Sequence, residues 1–246
     1  MSTVIIREVD QFNQLAETWW DHLGPMWPLH KLNALRVPFI IRHIQTHFDT
    51  RPKLRGLKVL DVGCGAGLLA EAVARCGASV VGIDPAERNV EIARQHAGAL
   101  DVTYHQAAIE AVVDSTQDSS QQDFKQQFDV VMNMEVVEHV SDLEVFIRHA
   151  ASLTRPGGLM FAATINRTIF SLLTAILGAE HILGWLPKGT HTWSQFVKPK
   201  ELEALLSDYG FERVERTGVA VNPLTRSMSL TRYLGGNYMM VLRKRL

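Results

Sequence analysis

Val59-Leu60-Asp61-Val62-Gly63-Cys64-Gly65-Ala66-Gly67 is the stretch whose reading decides the fold. Apolar residues at 59, 60 and 62 read as a buried strand, glycines follow at alternate positions, and 68–75 continues as a helix. A strand, a glycine turn and a helix N-terminus together cradle a small ligand, because glycines let the backbone approach it and the turn presents N–H donors. A dinucleotide fingerprint needs glycine three residues after Gly65, where Leu68 stands; glycine falls instead at 67, which argues against NAD and FAD. Ser79-Val80-Val81-Gly82-Ile83-Asp84 reads as a second strand ending in a carboxylate, about 20 residues past the glycines, where an acid suits a bidentate bond to ribose hydroxyls.

With 246 residues, 46% of them apolar, the chain fits one large domain, or one domain with an appendage. Its net charge of −1 supplies no bulk basic field, so nucleic acid is not expected as a partner. Cys64 and Cys76 make no disulfide framework, and a reducing compartment is expected. Cys64 reads as a small structural residue of the glycine loop. Residues 1–10 carry neither an apolar signal core nor an arginine-rich transit character, which leaves bacterial and processed mitochondrial sources both open.

Before the glycine loop, 12–23 reads as an amphipathic helix, with Phe12, Leu15, Trp19 and Leu23 at helical spacing. Trp19-Trp20-Asp21 reads either as packing or as a lid over the ligand site. A second helix runs to about residue 47 and carries Arg36 in an apolar stretch, as a solvated residue, a partner for an acid, or a clamp for an amino-acid carboxylate. Beyond the loop, strands at 102–105, 128–132 and 159–164 alternate with helices, the one at 142–153 stopping at Arg155-Pro156-Gly157-Gly158. A helix at 200–209 and strands at 211–219 and 238–243 follow, and the 222–236 connection is placed to cover the substrate site. Repeated β-α units imply a doubly wound parallel sheet, whose ligands sit at the carboxyl ends of the strands. The glycine loop, Asp84 and the end of the 128–132 strand should therefore share one cleft.

Asn133-Met134-Glu135-Val136-Val137-Glu138-His139 follows that strand directly. On a helical turn, Glu135, Glu138 and His139 fall at i, i+3 and i+4 and share a face. Two carboxylates and an imidazole suit a divalent cation, or supply a general base. Between 166 and 191 an apolar helical stripe interrupts the alternation; Glu180 and His181 break it, which argues against a transmembrane helix, and Arg167 and Lys188 flank it as on a membrane-surface helix. It reads as core or as an interfacial flap admitting a polyprenyl chain. His191, just after it, is a further candidate base.

The glycine loop and Asp84 resemble class I S-adenosylmethionine (SAM)-dependent methyltransferases. A narrower resemblance rests on Trp19-Trp20-Asp21, Pro28-Leu29-His30, Asn33-Ala34-Leu35-Arg36, the loop from Asp61 to Gly67, Met134 to His139, Pro187-Lys188-Gly189-Thr190-His191 and Asn237-Tyr238, all in one order. The chain is similar, from about Phe12 to Tyr238, to the ubiquinone-biosynthesis O-methyltransferases. The resemblance implies an α/β fold of class I methyltransferase type: a Rossmann-like, seven-stranded, mostly parallel sheet with the last strand antiparallel, N-terminal helices (1–50) capping the SAM site, and a methyltransferase domain (51–246) with a membrane-facing helical insertion at 166–191. It implies SAM-dependent methylation of ring hydroxyls on a 2-polyprenyl-6-hydroxyphenol and on 3-demethylubiquinol. By position, Arg36, Gly63, Gly65, Asp84 and Met134 contact SAM. Glu135, Glu138 and His139 match the divalent-metal residues, with Mg2+ the usual ion, and Glu135, His139 and His191 are the catalytic candidates. The implied partners are a polyprenylated phenol or quinol, the membrane surface and other ubiquinone-biosynthesis proteins. The implied location is peripheral, on the inner face of a bacterial inner membrane or the matrix side of the mitochondrial one. A methyltransferase for a soluble phenol and a non-catalytic SAM-binding scaffold are the rival readings.

Overall fold

The structure is a computed structural model and describes residues 2–115, 128–172 and 193–246. The helices are α1 (Ile6–Leu15), α2 (Trp27–Phe48), α3 (Leu68–Arg75), α4 (Glu87–His96), α5 (Ile109–Ser115), α6 (Leu143–Leu153), the single turn α7 (Ile169–Ser171) and α8 (Pro199–Asp208). The strands are β1 (Lys58–Val62), β2 (Ser79–Asp84), β3 (Val102–Gln106), β4 (Phe128–Met134), β5 (Thr154–Ile165), β6 (Phe211–Val221), β7 (Met228–Thr231) and β8 (Asn237–Lys244). They form one sheet in the order β3-β2-β1-β4-β5-β8-β6-β7. β1 to β5 pair in parallel, and β8 runs antiparallel to both β5 and β6. The seven expected strands are present. An eighth, β7, folds back on β6 from Gly218↔Thr231 to Val221↔Met228, inside the 222–236 connection.

Strand alternation sorts the core into two layers. Val59, Val130, Phe161, Met239 and Val241 face α2 and α3, packing with Phe39, Ile40, Ile44 and Val73. Leu60, Val131, Met160, Tyr238 and Met240 face α6 and α8, packing with Ile147, Leu202 and Leu206. Because the parallel strands are covered on both sides, they read as almost continuous apolar runs.

The structure revises several expected boundaries. The first helix starts earlier and ends at Leu15; Ala16–Thr18 tightens to a 3₁₀ turn, so Trp19 and Trp20 lie beyond it. Arg155-Pro156-Gly157-Gly158 does not end the helix in a free turn. It lies inside β5 as a wide irregularity, because the pairing jumps from Phe128↔Thr154 to Val130↔Leu159 with Gly157 at φ 73°. Most of the expected insertion, from 173 on, and His191 with it lie outside the described residues. No helix among the described residues is long and apolar enough to cross a membrane.

The switch point, where β1 pairs with β2 on one side and β4 on the other, opens the ligand crevice at the carboxyl edge. Gly82 in β2 makes the packing behind it possible. A Cβ there would stand 2.6 Å from Tyr104 Cδ1 and 3.0 Å from Cys64 Sγ. Gly82→Ala should therefore lower the unfolding free energy by about 1–3 kcal/mol, as overpacked cores do. A urea titration reads this; an unchanged midpoint would show that Tyr104 moves aside freely.

Candidate active site

The cavity at the carboxyl edge has a volume of about 660 Å³. Its floor is the glycine loop and the ends of β2 and β4, and its roof is the N-terminal segment. Gly63, Asp84 and Met134 line it as expected, as do Arg36, Glu135, Glu138 and His139. The turn after β3 adds Ala107, Ala108 and Ile109 as an uncharged wall beside Asp84.

Gly65 has a different role. Its N–H donates to Asp84 Oδ2 at 2.9 Å, and the Trp19 ring covers it so closely that a Cβ would stand 2.1 Å from Cη2. Gly65 is at φ 54° and does not itself line the cavity. Trp20 Nε1 donates to the Ala66 carbonyl at 3.1 Å while its ring stacks on His96, centroids 3.5 Å apart. Both indoles thus rest on the glycine loop. Cys64 is buried, and burial pushes its thiol well above the ordinary range, so it is inert packing as expected.

Two carboxyls face each other under this roof. Asp84 ends β2 and accepts from the amides of Gly65 and Ala86, at 2.9 and 2.8 Å. Burial raises it to about 6, with the Ala86 and Gly65 bonds holding it down. Asp61 interrupts the apolar run of β1, with Leu60 before it and Val62 after. Burial, then the Asp84 charge, push it up to about 8, and its Oδ2 has no hydrogen-bond partner among the described residues. Asp61 is a site residue that sequence reasoning quoted but did not assign. The signal was an acid inside an apolar run, two positions before Gly63.

The end of β4 departs from the expected helical face. Glu135 sits at φ 60° and Val136 at φ −124°, so the 3₁₀ turn begins only at Val137. A left-handed residue points its side chain away from the turn that follows, and Glu135 turns to Arg36 and Asn237. The Arg36 guanidinium donates to Glu135 Oε1 in a short ion pair, and Asn237 Nδ2 donates to Oε1 and Oε2 at 2.9 and 3.0 Å. His139 pairs through Nδ1 with Glu8 Oε2 at 3.3 Å, and the Phe12 ring meets it edge-on. Burial lowers the imidazole's affinity for its proton, but the Glu8 bond and the Glu138 charge outweigh it, and the net shift is upward. Glu138 is 2% exposed, and neither of its oxygens has a hydrogen-bond partner among the described residues. Burial, then the Glu135 charge, raise it to about 7, with His139 and the nearby Thr164 hydroxyl opposing.

These three side chains do not converge as a metal site. Among the described residues no group of three His, Cys, Asp or Glu side chains is placed to hold an ion. The physical reason is that Glu135 is committed to Arg36 and Asn237, and His139 Nδ1 to Glu8. The structure brings together a buried carboxyl, a charged pair and a deep crevice instead. Glu8 was invisible in the sequence, because nothing at position 8 announces a partner 131 residues away.

The neighbouring segments stitch the roof to the same spot. Val4 bridges Val140, and the Ser141 N–H donates to the Thr3 carbonyl at 2.9 Å.

A family model described as a methyltransferase domain matches residues 33–216. A ubiquinone biosynthesis O-methyltransferase of Chelativorans sp. (strain BNC1) is 43% identical over 99% of this chain and 95% of its own length. The protein of the same name from Rhizobium johnstonii is 45% identical over 99% and 97%. Among solved structures, magnesium protoporphyrin IX methyltransferase from Synechocystis PCC 6803 with bound S-adenosylhomocysteine (SAH) aligns with TM-score 0.66 at 20% identity, over 96% of this chain and 94% of that one. A SAM-dependent methyltransferase from Thermotoga maritima aligns with TM-score 0.61 at 16% identity, over 98% and 100%. The likeness of these structures is one of fold, whereas the sequence relatives carry the narrower assignment: the chain belongs to the ubiquinone biosynthesis O-methyltransferase family.

Proposed function

We propose that this protein transfers a methyl group from SAM to a ring hydroxyl of polyprenylated catechol-type intermediates in ubiquinone biosynthesis, both a 2-polyprenyl-6-hydroxyphenol and 3-demethylubiquinol. The observation that carries the reading is the buried Glu138 carboxyl at the carboxyl edge, without a hydrogen-bond partner among the described residues and in one cavity with Asp84. The named relatives support the substrate class.

In this reading Asp84 takes the ribose hydroxyls, and Arg36 offers the donors not used by Glu135 to the methionine carboxylate. Gly63 and Met134 line the path between them. Asp61 faces the cationic end of the cofactor. Glu138 accepts the proton of the phenolic hydroxyl, since a carboxyl near 7 is matched to transfer at neutral pH. The phenolate oxygen then attacks the methyl carbon in line. The C–O bond forms as the C–S bond breaks, and the electron pair returns to sulfur as a neutral thioether. Positioning supplies most of the acceleration, because the sulfonium is an intrinsically good leaving group. Glu135 is held by Arg36 and Asn237, and His139 is held by Glu8, which leaves Glu138 as the carboxyl placed to take the proton. As arranged, Glu135, Glu138 and His139 do not fit a divalent cation. A substrate whose tail stays in the bilayer also favours peripheral attachment to the inner membrane beside other enzymes of the route.

Methyl transfer from labelled SAM to a demethylubiquinol analogue is the direct test. Glu138→Gln should lose about 10²–10⁴-fold in turnover with SAM affinity retained; a variant of wild-type activity overturns the proton-acceptor role. The same assay with chelator and with added Mg2+ separates two routes of oxygen activation. Turnover unchanged by chelator leaves proton transfer to Glu138, and turnover restored only by the ion assigns Glu135, Glu138 and His139 to a metal.

Asp61 gives a pH signature. Its folded value, about 8, lies above the ordinary carboxylate value, so between the two the folded state binds more protons than the unfolded. Stability from this group is present at low pH and is lost as pH rises through about 8. Relative to Asp61→Asn, ligand-free wild type should lose at least about 2 kcal/mol between about pH 5 and 9. Parallel denaturation midpoints for the two proteins across that range would rule out the buried charge.

A further inference from the structure

The sheet does not end where the cavity ends. The last β6–β8 pair is Val219↔Asn237, but β6 and β7 continue together to Val221↔Met228. The β6–β7 hairpin therefore overhangs the carboxyl edge directly beside Asn237, the residue that holds Glu135. Across from it stands Trp27, in the first turn of α2, with the Arg226 guanidinium 5.1 Å above its ring. Val221, Met228, Tyr233, Phe170 and Trp27 all line the cavity. Three of them also open to solvent: Val221 is 43% exposed, Phe170 48% and Tyr233 59%. Residues that are both cavity wall and outer surface mark a mouth.

The mouth is built rather than frayed. A Cβ on Gly218 would stand 1.9 Å from the Tyr233 carbonyl oxygen, and one on Gly235 would stand 2.1 Å from the Tyr233 ring. Gly218 thus makes room for the Tyr233 backbone and Gly235 for its ring, and Phe170 meets that ring edge-on at 5.6 Å. An apolar rim left open to water is unfavourable unless a ligand covers it.

We propose that the passage between the β6–β7 hairpin and the first turn of α2 holds the hydrocarbon tail of the acceptor and leads it out of the cavity. The proposal rests on the function proposed above. It goes further in assigning tail recognition to Val221, Met228 and Tyr233. One occupant suits the passage, because it is continuous with the reaction chamber and its lining is alkyl and aromatic. A chain of isoprene units covers such a wall without leaving a polar group unpaired.

The test compares kcat/KM for a catechol bearing several isoprene units with kcat/KM for the same catechol without a tail. Wild type should favour the tailed acceptor. In Val221→Asn combined with Met228→Asn, the ratio should fall by about tenfold or more. Leu224→Asn, on the same hairpin but not lining the cavity, should keep the wild-type ratio. SAH-induced thermal stabilisation reports whether each variant is folded. A ratio unchanged in the double variant, or a wild type indifferent to the tail, overturns the passage. Failure of wild type to methylate either acceptor overturns the underlying function instead. A tailed catechol carrying a diazirine near the ring, photolysed on wild type, should label 221–233; label confined elsewhere overturns the proposal whatever the turnover.

Discussion

The arrangement at the carboxyl edge depends on one buried ion pair. Arg36 from α2 reaches Glu135 at the end of β4, and Asn237 at the start of β8 closes the other side of the carboxylate. Three elements far apart in the chain are thereby tied at one point. A glutamate in the left-handed region costs about 1–3 kcal/mol and persists only when its surroundings over-determine it. Here the guanidinium and the amide do so. Removing either charged partner would leave the other buried and uncompensated, a penalty of about 3–5 kcal/mol. Because Glu135 is turned to Arg36 and Asn237, the chain restarts at Val137, and Glu138 is buried with no hydrogen-bond partner among the described residues.

That geometry sets the electrostatics of the cavity. Asp61, Asp84 and Glu138 all lie above the ordinary carboxylate range, chiefly through burial. A chamber lined by carboxyls that resist ionisation favours a cation, since each positive charge admitted relieves part of the penalty on a neighbour. A sulfonium donor is such a cation.

Most of the fold was legible because parallel strands buried on both faces leave long apolar runs, and those of β1, β2 and β4 stand out between glycines and charges. Gly63 and Asp84 were legible for the same reason, since each closes such a run. The errors have local causes. Periodicity places Glu135, Glu138 and His139 on one helical face, but it carries no information about a single residue at φ 60°, and that residue separates the set. Arg155-Pro156-Gly157-Gly158 has the chemistry of a turn and becomes a bulge, because β4 pairs on either side of it. The strand Met228-Ser229-Leu230-Thr231 is short, exposed at the edge and preceded by turn residues, so its pattern resembles a loop. Glu8 and Asn237 act through contacts that only the tertiary fold creates.

The N-terminal segment joins what the sheet keeps apart. The glycine loop lies at one end of the crevice, and the turn after β4 lies at the other. Residues 3–20 touch both, through Trp19 and Trp20 on the loop and through Val4, Glu8 and Phe12 at His139 and Val140. Each contact is modest alone: a stacked ring, a lone bridge, a partly exposed pair. Their common carrier makes them cooperative, because a segment already ordered at one end has less conformational entropy left to lose at the other. One segment thus reaches both the Glu8–His139 pair and the glycine loop, although the two sites share no side chain. The roof over the glycine loop is the same piece of chain that holds the imidazole at the end of β4.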